Sequence, residues 1–279
     1  MKLSLGISPC PNDTFIFAPL IHGWMNTKGI EFDVHYKDVQ ALNESASREE
    51  YDLCKVSFAA YPAISDHYRV LASGAALGRG CGPLLVSKKN IYDSTDISGL
   101  TVGIPGKATT ANALLTMAYP ELKDKREIIF SEIEHRVLDE NIDLGLLIHE
   151  KRFTYTNKGL FLLKDLGQWW EENTSEAIPL GCIAINRKLH PEIQKELNVL
   201  IRDSIIFSRN FPENVMPFVV SLADEMDYNV IRKHISLYVN DYSLQLGKGG
   251  IFASETFFKL GSEAGLFKNI PKDWLLNFE

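Results

Sequence analysis

Leu3, Leu5 and Ile7 alternate with polar residues or glycine at the start of the chain, the period-2 signature of a strand. Ser8-Pro9-Cys10-Pro11-Asn12-Asp13 then interrupts the alternation as a turn. Phe17, Leu20, Ile21 and Trp24 share one face of the helix that follows, and Asn12 or Asp13 is placed to cap it. Pro19 predicts a kink in that helix or a later start. Alternation resumes at Phe32, Val34 and Tyr36, and the polar stretch Asn43–Glu50 reads as a short exposed helix. Asp52–Phe58 and Tyr68–Ala72 read as strands around a helix at Ala59–Ile64. This β-α-β-α-β rhythm predicts a mostly parallel sheet.

Beyond the glycines at 74, 78, 80 and 82, Leu84–Ser87 runs on as an extended strand, and Leu100–Ile104 opens a second sheet. Pro105-Gly106-Lys107-Ala108-Thr109-Thr110 leads into an apolar helix carrying Leu114, Leu115 and Ala118. Glu127–Phe130, a helix around Ile133–Leu138, and Asp143–Ile148 repeat the rhythm. Ile178–Asn186 is a second extended run able to carry the chain back. Helices follow at Pro191–Asn210, Pro212–Asp227, Val230–Tyr238 and Gly250–Gly265, with Pro191 and Pro212 suited to first turns. These helices need a sheet to cover, and the first sheet is the one left short. The expected fold class is α/β and two-lobed, with a larger discontinuous lobe of about 1–86 plus 185–279 and a smaller inserted lobe of about 87–184. Two extended crossings join the lobes around a central cleft. Ligands of open α/β sheets bind outside the carboxyl ends of strands. Ser8–Asp13, Lys55–Ser57, Gly106–Thr110 and His149 are therefore expected at one cleft.

The length of 279 residues suits about two domains, and 45% apolar with 23% charged residues is ordinary globular usage. A net charge of −7 with no basic block argues against a nucleic-acid partner. An acidic ligand would need a local positive site, because the overall field does not attract it. No apolar run approaches the roughly 20 residues of a membrane span, and no secretory signal follows Met1. A cytoplasmic protein with a small-molecule partner and no membrane is the expectation. Cys10, Cys54, Cys81 and Cys182 are scattered without a CxxC pair and are expected as buried free thiols.

Thr109 and Thr110 follow a Pro-Gly turn and open a helix, whose unpaired N–H groups together with the threonine hydroxyls suit a carboxylate or phosphate. A simple N-cap accounts for them as well. Lys55 ends a strand in the run Lys55-Val56-Ser57 and faces either a ligand anion or solvent. His149, at the end of an apolar strand, suits a general base or a structural histidine. His22 and His234 fall in helical patterns, His35 on a strand's polar face, and His67, His135 and His190 among polar residues. No HExxH, GxGxxG, Walker A or GxSxG pattern is present, so neither a metal nor a dinucleotide is expected. Trp169-Trp170 and Phe257-Phe258 suit core or inter-lobe packing better than a pocket wall.

Ser8-Pro9-Cys10-Pro11-Asn12-Asp13-Thr14-Phe15 resembles the opening motif of the 1,4-dihydroxy-6-naphthoate synthase family, enzymes of the futalosine route to menaquinone. The resemblance continues through Lys55-Val56-Ser57, Thr109-Thr110, Leu147-Ile148-His149-Glu150, Pro179-Leu180-Gly181-Cys182 and Asn240-Asp241-Tyr242-Ser243, nearly the whole chain. It implies the fold of type II periplasmic binding proteins and a lyase acting on cyclic dehypoxanthinyl futalosine, a carboxylated small molecule. The implied products are 1,4-dihydroxy-6-naphthoate and dihydroxyacetone, with no metal or redox cofactor. It also implies His149 as proton acceptor, with Lys55, Val56, Ser57, Thr109 and Thr110 contacting substrate. The alternatives are a non-catalytic binding protein for a small carboxylate and the sister activity, chorismate dehydratase, which lacks the SPCPNDTF opening. The roles of Asn12 and Glu150 stay open at this level.

Overall fold

The computed structural model describes residues 1–91, 96–224 and 227–276 and divides its strands between two sheets. The first begins with β1 (Lys2–Ile7), β2 (Glu31–Tyr36), β3 (Leu53–Ser57), β4 (Tyr68–Val70) and β5 (Ala76–Gly78). The second comprises β6 (Leu84–Ser87), β7 (Val102–Ile104), β8 (Lys125–Glu127), β9 (Leu144–Leu147) and β10 (Phe161–Asp165), in the order β10-β6-β9-β7-β8. The chain then returns through β11 (Ile178–Asn186) into the middle of the first sheet, giving β2-β1-β3-β11-β4 with β5 also on β11. Because β11 arrives from the opposite side, it lies antiparallel to β3, β4 and β5, whereas β1 runs parallel to β2 and β3. The first sheet is thus mixed rather than mostly parallel. Leu84–Ser87, expected as an extended strand, is β6, hydrogen-bonded between β9 and β10. The expected divisions near 86 and 184 fall inside β6 and β11.

Helix α1 (Pro11–Ile21) starts at Pro11 and continues past Pro19. The carbonyl that Pro19 leaves without an N–H donor is that of Phe15. It accepts instead the Ser208 hydroxyl at 2.7 Å, and Ser204 donates to Ile16 O at 2.6 Å. Both serines belong to a helix from the C-terminal third, so the proline is tolerated because a neighbour supplies the missing donors. Phe15, Ile16, Phe17, Ala18 and Leu20 are all buried, which explains why no single apolar face stands out.

The polar stretch after β2 forms α2 (Val39–Ser47), capped by the Asp38 carboxylate. It is not the exposed helix expected, since Leu42, Asn43, Ser45 and Ala46 are buried. Short α3 (Tyr61–Ile64) leads to β4, and α4 (Thr110–Ala118), α5 (Phe130–Leu138), α6 (Lys151–Thr154) and α7 (Leu166–Thr174) belong to the second sheet's region. Strand β10 and α7 escaped sequence reading because Phe161 and Leu162 are exposed on an edge and do not alternate. The C-terminal part carries α8 (Pro191–Asn210), α9 (Pro212–Leu222), α10 (Tyr228–Tyr238), α11 (Asp241–Leu244) and α12 (Gly247–Glu263). Helix α9 ends earlier than Asp227 because Ala223 is extended. Residues 225–226 of that expected helix lie outside the described residues.

Trp170 packs edge-on against Phe257 at 5.7 Å, and Phe258 meets Tyr61 and Trp274, so these aromatic pairs are core. All four cysteines are buried free thiols. Among the described residues, no helix is long and apolar enough to cross a membrane.

Where the chain passes from β5 to β6 it crosses the start of α7 so closely that a Cβ on Gly82 would lie 2.3 Å from the Gly167 Cα. Backbone on both sides leaves nothing flexible to yield. Gly82→Ala is expected to destabilise by about 1–3 kcal/mol through overpacking, read as a lower urea midpoint. Gly99→Ala, where a Cβ meets nothing within 4 Å, should leave the midpoint in place.

Candidate active site

The segments that follow β1, β7 and β9 and the end of β3 meet at a cavity of about 90 Å³ between the two sheets. Every site residue expected from the sequence stands in its wall: Lys55, Val56 and Ser57 from β3, Thr109 and Thr110 at the start of α4, and His149 after β9. Ser8, Asn12 and Asp13 join them, with Leu180 and Gly181 of β11 and Tyr238 of α10.

Lys55 lies on a strand whose residues are all buried, and an ammonium there requires a counter-charge. Asp13 supplies it, with Oδ1 3.1 Å from Lys55 Nζ. Lys55 also donates to Gly74 O at 3.2 Å. Its charge is therefore largely neutralised within the protein, and of the two alternatives the solvent-facing one does not hold, since Lys55 is buried in the cavity wall. Asp13 is not a helix cap: the N-cap is Cys10, with no side-chain hydrogen bond. Instead the Asp13 carboxylate accepts from Ser8 N at 3.2 Å, Ser8 Oγ at 2.8 Å and Asn12 Nδ2 at 2.7 Å.

That last bond fixes a tautomer. With its Nδ2 committed to a carboxylate, Asn12 turns its carbonyl oxygen toward His234, whose Nε2 lies 3.0 Å away. A carbonyl only accepts, so His234 carries its proton on Nε2. His234 Nδ1 then faces Glu150 Oε2 at 3.7 Å, both residues being buried. Burial first, and the neighbouring His149 second, hold the His234 pKa well below the usual imidazole value.

His149 adopts a left-handed backbone, with φ of +56°, a conformation that costs a non-glycine residue of order 1 kcal/mol. Its ring is held edge-on to Phe130 at 5.1 Å and stacked on His234 at 5.9 Å. Burial lowers its pKa, with Glu150 and Asp13 opposing that shift. The group is thus a neutral imidazole at neutral pH, the form able to accept a proton.

Of the two readings of the threonine pair, the structure has the N-cap at Thr109. Thr109 caps α4, its hydroxyl donating to Gly106 O at 2.7 Å and accepting from Asn112 N at 3.2 Å. Thr110 Oγ1 donates to Leu180 O at 2.8 Å and accepts from Ala59 N at 3.3 Å. Each hydroxyl hydrogen is donated to a carbonyl, which leaves the first-turn amides of Thr110 and Ala111 as the donors at this helix end. Ser57 Oγ accepts from Asn43 Nδ2 at 3.2 Å, so its own O–H is free to turn into the cavity.

Asn12 and Asp13 were expected at the cleft without a definite role, and His234 was not expected there. Asp13 had a signal, being a carboxylate one turn beyond the first strand. His234 had none, since its partner Asn12 lies 222 positions away. Among the described residues, no group of three or more His, Cys, Asp or Glu is arranged to hold a metal ion.

Two α/β sheets with polar groups gathered in the cleft between them define a two-lobed, periplasmic-binding-protein-like architecture. A Candida albicans protein with the generic periplasmic binding protein fold superposes with a TM-score of 0.69 at 11% identity, covering 98% of this chain and 93% of its own. That likeness concerns the fold alone. The chain belongs to the menaquinone biosynthesis family, whose model matches residues 3–263. It is 38% identical over 270 residues to 1,4-dihydroxy-6-naphthoate synthase of Thermus thermophilus, covering 97% of each chain. It is also 38% identical over 278 residues to the Streptomyces coelicolor enzyme of the same name, covering 98% of this chain and 97% of that one.

Asp13→Asn leaves the Lys55 ammonium buried without a counter-charge and is expected to cost about 3–5 kcal/mol, measured by urea denaturation. His234, buried, and His149, half-buried, set a pH dependence. In a histidine whose folded pKa is depressed, the unfolded chain takes up protons first as pH falls below about 6.5. Stability is therefore full above about 6.5 and declines below it, and the decline should be shallower in His234→Gln.

Proposed function

We propose that this chain is a carbon–carbon lyase of menaquinone biosynthesis, acting in the cytoplasm. It converts cyclic dehypoxanthinyl futalosine to 1,4-dihydroxy-6-naphthoate with release of dihydroxyacetone, and His149 is its general base. The observation that carries this reading is a ring-packed imidazole and a helix N-terminus lining one cavity. The family match and the names of the two relatives supply the substrate.

His149 takes a proton next to a carbonyl of the substrate, so the C–H bond breaks and its electron pair stays on the ring system. The carbon–carbon bond to the three-carbon fragment then breaks, the fragment recovers a proton, and the ring becomes aromatic. Aromatisation supplies driving force, so one positioned base suffices, and such a base contributes about 10²–10⁴-fold. The substrate carboxylate sits at the amides of Thr110 and Ala111, with the Ser57 hydroxyl beside it. Val56 offers an apolar wall, and the remaining Lys55 N–H points a partly compensated positive charge at a substrate oxygen. Closure of the lobe of residues 1–86 and 185–279 on that of residues 87–184 excludes water and holds the reacting atoms in place. This chemistry calls for no metal or redox cofactor.

The test is product formation from cyclic dehypoxanthinyl futalosine by wild type and by folded His149→Ala. Wild type should yield naphthoate, and the variant should lose at least about 10²-fold. The acid limb of the kcat/KM profile should have its midpoint below 6.5, because burial lowers the His149 pKa and keeps the base form down to lower pH. Full activity in His149→Ala would remove the base assignment. Unchanged substrate with wild type would favour a binding protein, and turnover of chorismate instead would favour the sister activity.

A further inference from the structure

Helix α2 carries two side-chain amides, Gln40 and Asn43, one turn apart on the face that meets the other lobe. Gln40 Oε1 accepts from Ala108 N at 3.2 Å, and Asn43 Nδ2 donates to Ala108 O at 3.3 Å. Both backbone groups of one residue are thus held by two amides of the same helix. Ala108 immediately precedes Thr109 and Thr110, so whatever fixes its peptide groups fixes the start of α4. Asn43 is buried and also anchored on its own side, its Oδ1 accepting from Ser57 N at 2.9 Å. Space for the contact comes from Gly106, where a Cβ would lie 2.2 Å from Gln40 Oε1.

We propose that Gln40 and Asn43 are positioning residues that latch the second lobe over an organic carboxylate by gripping Ala108. The latch sets the first-turn amides of Thr110 and Ala111 at the distance from Ser57 and Lys55 that the ligand spans. This rests on the reading of the α4 start as the carboxylate site. In an open cleft the same four groups bond to water, so each latch bond shifts closure only by its net worth, roughly two- to tenfold.

The donors and acceptors make the test asymmetric. Gln40 serves Ala108 only as an acceptor, and its Nε2 donates to Glu44 Oε1 at 3.0 Å. The exchange Gln40→Glu with Glu44→Gln keeps both bonds and should behave like wild type, whereas Gln40→Ala should not. Asn43 must donate, and Asn43→Asp sets a carboxylate against Ala108 O. We expect Gln40→Ala and Asn43→Asp to weaken binding of 1,4-dihydroxy-6-naphthoate by about five- to tenfold in calorimetry. KM should rise by a similar factor and kcat change less, with a larger radius of gyration in X-ray scattering at saturating naphthoate. Wild-type affinity in both variants, or an exchange variant no better than Gln40→Ala, would overturn the proposal. Should Asn43→Asp not fold, Gln40→Ala and the exchange decide alone. Should wild type neither bind naphthoate nor turn over substrate, the functional reading fails. Scattering of ligand-free Gln40→Ala, expanded or not against wild type, then decides the latch separately.

Discussion

A lysine in the middle of a fully buried strand cannot stand alone, and much of the site follows from how Lys55 is satisfied. Its partner Asp13 has to come from the first turn of α1, which forces the chain leaving β1 to fold back tightly enough for Ser8 to bond the same carboxylate. Pro9 and Pro11 bracket that turn, and Pro11 needs no donor at the first helical position. The remaining lone pairs of Asp13 orient Asn12, and Asn12 orients His234. His234 in turn gives His149 a surface to stack on. One buried charge thereby orders groups from β1, β3, α1, α10 and the end of β9.

The same economy of charge explains how an acidic protein can hold an acidic ligand. Among the described residues lining the cavity the one ammonium, Lys55, is paired, so the proposed ligand would meet only its partly compensated charge beside a set of dipoles: helix amides, a serine hydroxyl and an imidazole. Fixed dipoles in a water-poor cavity stabilise charge without the desolvation cost that an extra ion would carry. Burial lowers the His149 pKa, so in the proposed mechanism the shape of the cavity and the protonation state of the base are set together.

Much of this was legible in the chain. The strands β1, β3, β7 and β9 read directly from apolar alternation or short apolar runs, and their carboxyl ends placed Lys55, Thr109, Thr110 and His149 at one cleft. What escaped was everything that depended on distant partners. Helix α2 looked exposed because Asn43 and Ser45 are polar, yet they are buried against the other lobe and β3. Helix α1 hid its face because α8, α9 and α10 cover it from several sides, and Ser204 and Ser208 repair the break at Pro19. The threonine pair showed its residue type but not which hydroxyl hydrogens would already be spent on Gly106 and Leu180.

The place of β11 in the first sheet has a consequence for biosynthesis of the chain. Strand β3 bonds β1 on one side and β11 on the other, but β11 is not complete until residue 186 has left the ribosome. Until then Leu53–Ser57, with Lys55 at its centre, lacks the partner for one edge, the arrangement that invites pairing between chains. The second sheet has no such wait, since all its strands lie between Leu84 and Asp165. It is therefore the part able to mature first during translation, with the larger lobe closing around it late, by long-range contacts that are slow to form.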